Sequence, residues 1–102
     1  MKIHSLLGFA QRAGKIISGE QGVELALRRG KVRCLIISKD STENTQCRYI
    51  KMAENYNVAW YLYGTKSELG RALGKSQRAV VAVIEAGFAN AIKTVMKTTE
   101  DC

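Results

Sequence analysis

SGEQGVELALRRGKVRCLII, Ser18 to Ile37, carries a helix and a strand back to back. Ser18 and Gln21 match the S-x-x-Q form of a capping box, which predicts a helix opening at Ser18. Val23, Ala26 and Leu27 form one apolar stripe, and Gly30 is a natural stop. Arg28 and Arg29 fall in the last turn, where positive charge complements the helix dipole. Cys34-Leu35-Ile36-Ile37 is then a continuous apolar run, the pattern of a strand covered on both faces. Such a strand needs helices above and below its sheet, so this stretch decides the fold class.

Working outward, Ile3, Leu6, Leu7 and Ala10 mark one face of a helix from Lys2 to Ala13, which Gly14 ends. Lys15-Ile16-Ile17 reads as a brief strand. Beyond Ile37, Lys39-Asp40-Ser41 is a polar loop, and Thr42 to Asn55 reads as a helix with Tyr49, Met52, Ala53 and Tyr56 on one side. Val58 to Tyr63 is a second candidate buried strand. Thr65-Lys66-Ser67-Glu68 is a T-x-x-E capping box, predicting a short helix from Lys66 to Leu73. Gly74 to Arg78 is a polar loop, and Ala79 to Ile84 is the clearest strand in the chain. A last helix from Gly87 would bury Phe88, Ile92 and Val95, with the tail after Lys97 fraying. Strands alternating with helices imply an α/β fold. The expected architecture is a three-layer α/β/α sandwich around a small four-stranded mixed sheet, largely parallel, in a single domain over 1–102.

The 102 residues carry a formal net charge of +7, and 46% of them are hydrophobic. The apolar content supports a folded core and argues against disorder. The charge favours a polyanion, nucleic acid before an anionic membrane surface. Cys34, Cys47 and Cys102 are odd in number and widely spaced, and His4 is the sole histidine, so neither a disulfide framework nor a zinc site is expected. Cys34 and Cys47 read as packing residues with free thiols. No apolar run approaches membrane-spanning length, and no signal-peptide core stands at the N-terminus. A cytoplasmic monomer without membrane association is the expectation.

The helix start near Gly19 offers free N–H groups and a positive dipole end suited to phosphate, and Gly19 and Gly22 permit close approach. Neither a P-loop nor a full G-x-G-x-x-G is present. On the helix wheel Gln21, Leu25, Arg28 and Arg29 share the side away from the apolar stripe. An amide can pair with base edges and guanidinium groups with phosphate, although the same face also fits a solvated basic helix. Catalysis has little support. His4 has no visible acid partner, and Asp40 stands alone after its strand, so no enzyme activity, cofactor or metal is expected.

KIISGEQGVELALRRGKVRCLIISKDSTENT and NVAWYLYGTKSELGRALGKSQRAVVAVIEAGFA together resemble the kink-turn RNA-binding ribosomal protein L7Ae family, which also includes ribosomal protein L30e. The leading LLGFAQRAGKIISG is similar to its small bacterial, YlxQ-like branch. The resemblance implies an RNA-binding sandwich without catalysis, partnered by ribosomal or other structured RNA and by the ribosome or translation factors. It places RNA contacts at Gly19, Glu20, Gln21, Gly22, Leu25, Arg28 and Arg29, and at Lys75, Ser76, Gln77 and Arg78 of the loop before the last strand. Lys15 and Lys39 would flank that surface. RNA-binding members read G-x-N-E-x-x-K at the helix start. Here Gly19 matches, while Gln21, Gly22 and Leu25 replace the asparagine, glutamate and lysine. The alternative expectation is a protein-interaction module for ribosome maturation or translation, its kink-turn specificity weakened or lost.

Overall fold

The computed structural model describes residues 2–100. Its elements run α1 (Ile3–Arg12), β1 (Ile16–Ser18), α2 (Glu20–Arg28), β2 (Cys34–Ile37), α3 (Glu43–Asn55), β3 (Ala59–Leu62), α4 (Lys66–Ala72), β4 (Val80–Val83) and α5 (Ala86–Glu100). The alternation expected from the apolar patterning is present throughout.

The four strands form one mixed sheet in the order β1-β4-β2-β3. Alternate residues of its strands feed two cores. Cys34, Ile36, Val81 and Val83 pack with Leu7, Leu69 and Ile92 of α1, α4 and α5. Leu35, Ile37, Val80 and Ala82 pack with Val23, Leu27 and Tyr49 of α2 and α3. The three-layer sandwich follows directly, because a strand covered on both faces has apolar side chains pointing both ways.

The sheet is not largely parallel. Only β2 and β3 pair in parallel, while β4 runs antiparallel to both β1 and β2. The cause is local to α4. This short helix does not cross back along the sheet, because the Arg78 N–H donates to the Lys66 carbonyl at 3.0 Å and returns the chain to the start of the helix. The last strand therefore enters from the end of the sheet where β2 and β3 finish.

Five local expectations also change. Ser18 closes β1 rather than capping α2, and its hydroxyl accepts from Arg78 Nε at 3.2 Å. The α2 N-cap is Gly19, at φ +90°, a left-handed conformation that L side chains rarely adopt. The third strand is an edge rather than a buried strand, with Ala59 and Leu62 exposed. Cys47 is exposed where Cys34 is buried. It lies two residues before the buried Tyr49, about 200° round the helix from it. Tyr56 leaves the buried face because α3 ends at Asn55 and Asn57 turns the chain at φ 57°. The last helix continues past Lys97 to Glu100, and Cys102 lies outside the described residues.

Candidate nucleic-acid interface

Three helix starts meet at one end of the sheet. The β1 strand leads into α2 at Gly19, β2 leads through Ser38–Ser41 into α3, and β3 leads into α4 at Thr65. Gly19 N–H donates to the Val80 carbonyl at 3.3 Å, and Lys39 N–H donates to the Gly64 carbonyl at 2.8 Å. These bonds lock the connections to one another. They enclose an open cleft of about 410 Å³ lined by Gly19, Glu20, Ser41, Thr45, Lys66, Gln77, Arg78 and Ala79. The converging N-termini favour an anion there, while Glu20, Glu43 and Glu68 in the first turns oppose one.

Side chains fix each wall. Gln46 Nε2 donates to the Lys39 and Ser41 carbonyls at 3.0 and 3.2 Å, tying the loop that carries Lys39 to α3. Asp40 Oδ1 accepts from the Lys66 N–H at 2.9 Å. The carboxylate weighed as a catalytic candidate thus joins two connections of the scaffold. The Thr65–Glu68 capping box is formed in both directions and opens α4.

The loop Gly74–Arg78 stands beside this cleft, with a second hollow of about 490 Å³ on its other side, lined by Ser67, Arg71, Lys75 and Gln77 among others. Its seat is Gly70. A Cβ there would lie 2.1 Å from the Ser76 carbonyl oxygen, so only glycine lets the loop rest on α4. Arg78 is half-buried and bound by the protein itself. Its Nη1 donates to the Ser76 hydroxyl and the Gln77 carbonyl, both at 2.9 Å, and its Nε reaches Ser18. Its guanidinium, expected on phosphate, is largely spent on fixing the loop to β1. Lys75, Ser76 and Gln77 remain exposed.

Gln21, Leu25 and Arg28 are brought together as the helix wheel predicts, lining a shallow groove with Glu24. Leu25 is 46% exposed. Glu24 is turned towards α3, where it pairs with Arg48 at 2.7 Å and accepts from Tyr49 Oη at 3.3 Å. Burial, followed by the nearby carboxylates of Glu20 and Glu24, pushes the Tyr49 phenol well above its ordinary range and keeps it a donor. Gly22 packs towards β1, where an added Cβ would lie 3.1 Å from Ile17 Cγ2.

The expected residues do not form one patch. Gly19, Glu20, Gln21, Gly22, Lys39 and Lys75 to Arg78 lie at or beside the cleft end. Lys15, before β1, and Arg28 and Arg29, at the close of α2, lie at the opposite end. The sequence reading missed Ser41, Thr45, Lys66 and Arg71. The two capping threonines, Thr42 and Thr65, each follow a strand and mark helix starts that a mostly parallel layout would have gathered at one end.

The family model described as "Ribosomal protein L7Ae/L30e/S12e/Gadd45 family" matches residues 1–93. The RNA-binding protein YlxQ of Bacillus subtilis (strain 168) is 33% identical over 96 residues, covering 94% of this chain and 96% of that protein. The large ribosomal subunit protein eL30 of Saccharomyces cerevisiae is 30% identical over 96 residues, covering 91% of this chain and 90% of its own. Among solved structures, a Bacillus halodurans C protein of unknown function superposes with TM-score 0.88 at 33% identity, over 92% of this chain and 95% of that one. The Giardia lamblia 15.5kD RNA binding protein shares the fold, with TM-score 0.79 at 20% identity, over 97% and 85%.

Proposed function

Because the chain belongs to the ribosomal protein L7Ae/L30e/S12e/Gadd45 family, we propose that it is an RNA-binding protein, ribosome-associated, that grips kinked RNA at the cleft end of its sheet. One observation carries this reading: the α2, α3 and α4 starts and the loop Gly74–Arg78 converge on a cleft flanked by Lys39, Lys66 and Lys75. Backbone N–H groups and lysines would hold phosphates there, and the Gln21 amide would address a base edge. The role is recognition in the cytoplasm rather than catalysis. RNA with splayed or sheared bases offers the amide an edge that a regular A-form duplex hides in its deep groove.

Titration of a kink-turn RNA and a plain duplex of equal length across salt concentrations tests the proposal. Tighter binding of the kinked RNA that persists as salt rises supports it, and equal affinities at every salt leave only generic attraction. Leu25→Lys, at the exposed position where the G-x-N-E-x-x-K pattern has lysine, should strengthen kink-turn binding about fivefold, the scale of about 1 kcal/mol for one hydrogen bond exchanged with water.

A second reading rests on Leu25, which puts an exposed apolar side chain in the groove beside Gln21 and Arg28. On this reading α2 docks a maturation or translation factor. A partner retained after nuclease treatment and lost with Leu25→Lys favours it.

A further inference from the structure

The end of the sheet opposite the cleft gathers a second set of cations. Lys15 precedes β1 and its carbonyl accepts from the Ile84 N–H at 3.0 Å. Arg33 precedes β2 and its N–H donates to the Val83 carbonyl at 2.7 Å. The antiparallel β4 therefore places Lys15 and Arg33 on either side of its own end at one sheet terminus, though they stand far apart in sequence. The close of α2 brings Arg28, Arg29 and Lys31 to the same end. All five side chains are exposed. The one ion pair among the described residues, Arg48 with Glu24, involves none of them.

Opposing charge at this end is sparse. Glu85 Oε1 is turned to the Phe88 N–H at 2.9 Å, opening α5, and Glu54 lies in the last turn of α3. Arg28 and Arg29 alone would satisfy the α2 dipole, so the side chains of Lys15, Lys31 and Arg33 are an excess of charge outside the one ion pair among the described residues. Between the two ends runs the exposed face of α2, nine residues long. At helical rise it spans about 13 Å. Its groove at Gln21, Leu25 and Arg28 leads from the cleft towards the cations.

We infer that Lys15, Lys31 and Arg33, together with Arg29, form a second phosphate-binding surface that takes the RNA stem continuing past the cleft along α2. This rests on the proposed RNA grip and extends it from one contact to two, with separate consequences. The cleft reads the irregular part of the RNA. The far end reads the backbone of a regular stem, so its contribution depends on stem length and salt rather than on sequence. A-form RNA is recognised largely through its phosphates and 2′-hydroxyls, and an array of exposed lysine and arginine side chains suits that chemistry.

The test uses the full chain and kinked RNAs whose two stems are lengthened one at a time. Lengthening one stem should raise wild-type affinity, and lengthening the other should not. The triple variant Lys15→Gln, Lys31→Gln, Arg33→Gln should lose that gain, about tenfold near physiological salt, and lower the salt slope by about 3, as expected for three lost phosphate contacts on a duplex. It should still bind the short-stemmed kinked RNA and melt at the wild-type temperature. A charge-matched control, Lys2→Gln, Lys51→Gln, Lys93→Gln, removes as much charge from other faces and should keep the gain. No gain with either stem, or equal losses in both triples, overturns the inference and leaves the cluster to generic charge or to an acidic protein. Failure of the wild type to prefer short kinked RNA over plain duplex would instead overturn the cleft reading.

Discussion

Ser38 is fully buried at the end of β2, and its hydroxyl has no hydrogen-bond partner among the described residues. A buried hydroxyl stripped of water and left unpaired costs about 1–3 kcal/mol. Ser38→Ala should therefore leave stability unchanged or raise it by about 1 kcal/mol, read as the urea midpoint. A clear loss would mean that the hydroxyl is paired in solution. Cys34 gives a second residue-scale expectation. Burial pushes its thiol from 9.0 up to about 12, whereas the unfolded chain ionises it near its ordinary value. The folded state keeps its full advantage below pH 9 and loses it as pH climbs towards 12. Tyr49 shifts in the same direction. Melting temperature should fall across that window, and less steeply in Cys34→Ala. Parallel slopes in the two proteins would remove Cys34 as a cause. Exposed Cys47 should meanwhile react with a maleimide in the native protein, while Cys34 waits for unfolding.

At the scale of elements, the decisive contact is between α4 and the loop it supports. Gly70→Ala forces a methyl against the Ser76 carbonyl, a backbone atom that cannot yield without moving the loop. The expected cost is about 1–3 kcal/mol of stability. Kinked-RNA affinity should fall beyond what the stability loss explains. Wild-type affinity in this variant would show that the loop is not part of the grip. Elements with local signals were legible in the sequence. The Thr65–Glu68 box starts α4 at Lys66, and the stripe Val23, Ala26, Leu27 is the buried face of α2. Elements whose environment is set by distant partners were not. The Ser18 hydroxyl looks like a local cap, yet its partner is Arg78, sixty residues away. An apolar run made β3 look covered, but an edge position depends on which strands pair, and no local pattern encodes that. The site divides the same way. The α2 groove follows from helical periodicity, whereas the cleft needs Lys66 and Thr45 brought in by separate connections.

For the whole molecule, a net charge of +7 and the cation cluster at the end opposite the cleft imply that binding RNA and resisting heat are linked. A ligand that binds only the folded state at about 100 times its Kd adds about 2.7 kcal/mol. For a domain of this size that corresponds to a rise of about 10–20 °C in melting temperature with saturating kinked RNA. The rise should shrink as salt increases, because counterion release weakens the complex. A rise independent of salt would contradict an electrostatic grip.

The strand order β1-β4-β2-β3 bears on how the surface comes into being. The three-residue β1 has a single partner, β4, the last strand in the chain, and the Gly19 amide is held by Val80 of that same strand. Closing this pairing spans most of the sequence, so it carries a large loop-closure entropy and belongs late in folding. A chain emerging from its own synthesis can assemble β2, α3 and β3 as a local parallel unit. The start of α2 gains its anchor only once β4 has arrived, so nascent chains short of that strand would lack the cleft and, with it, the RNA grip proposed there.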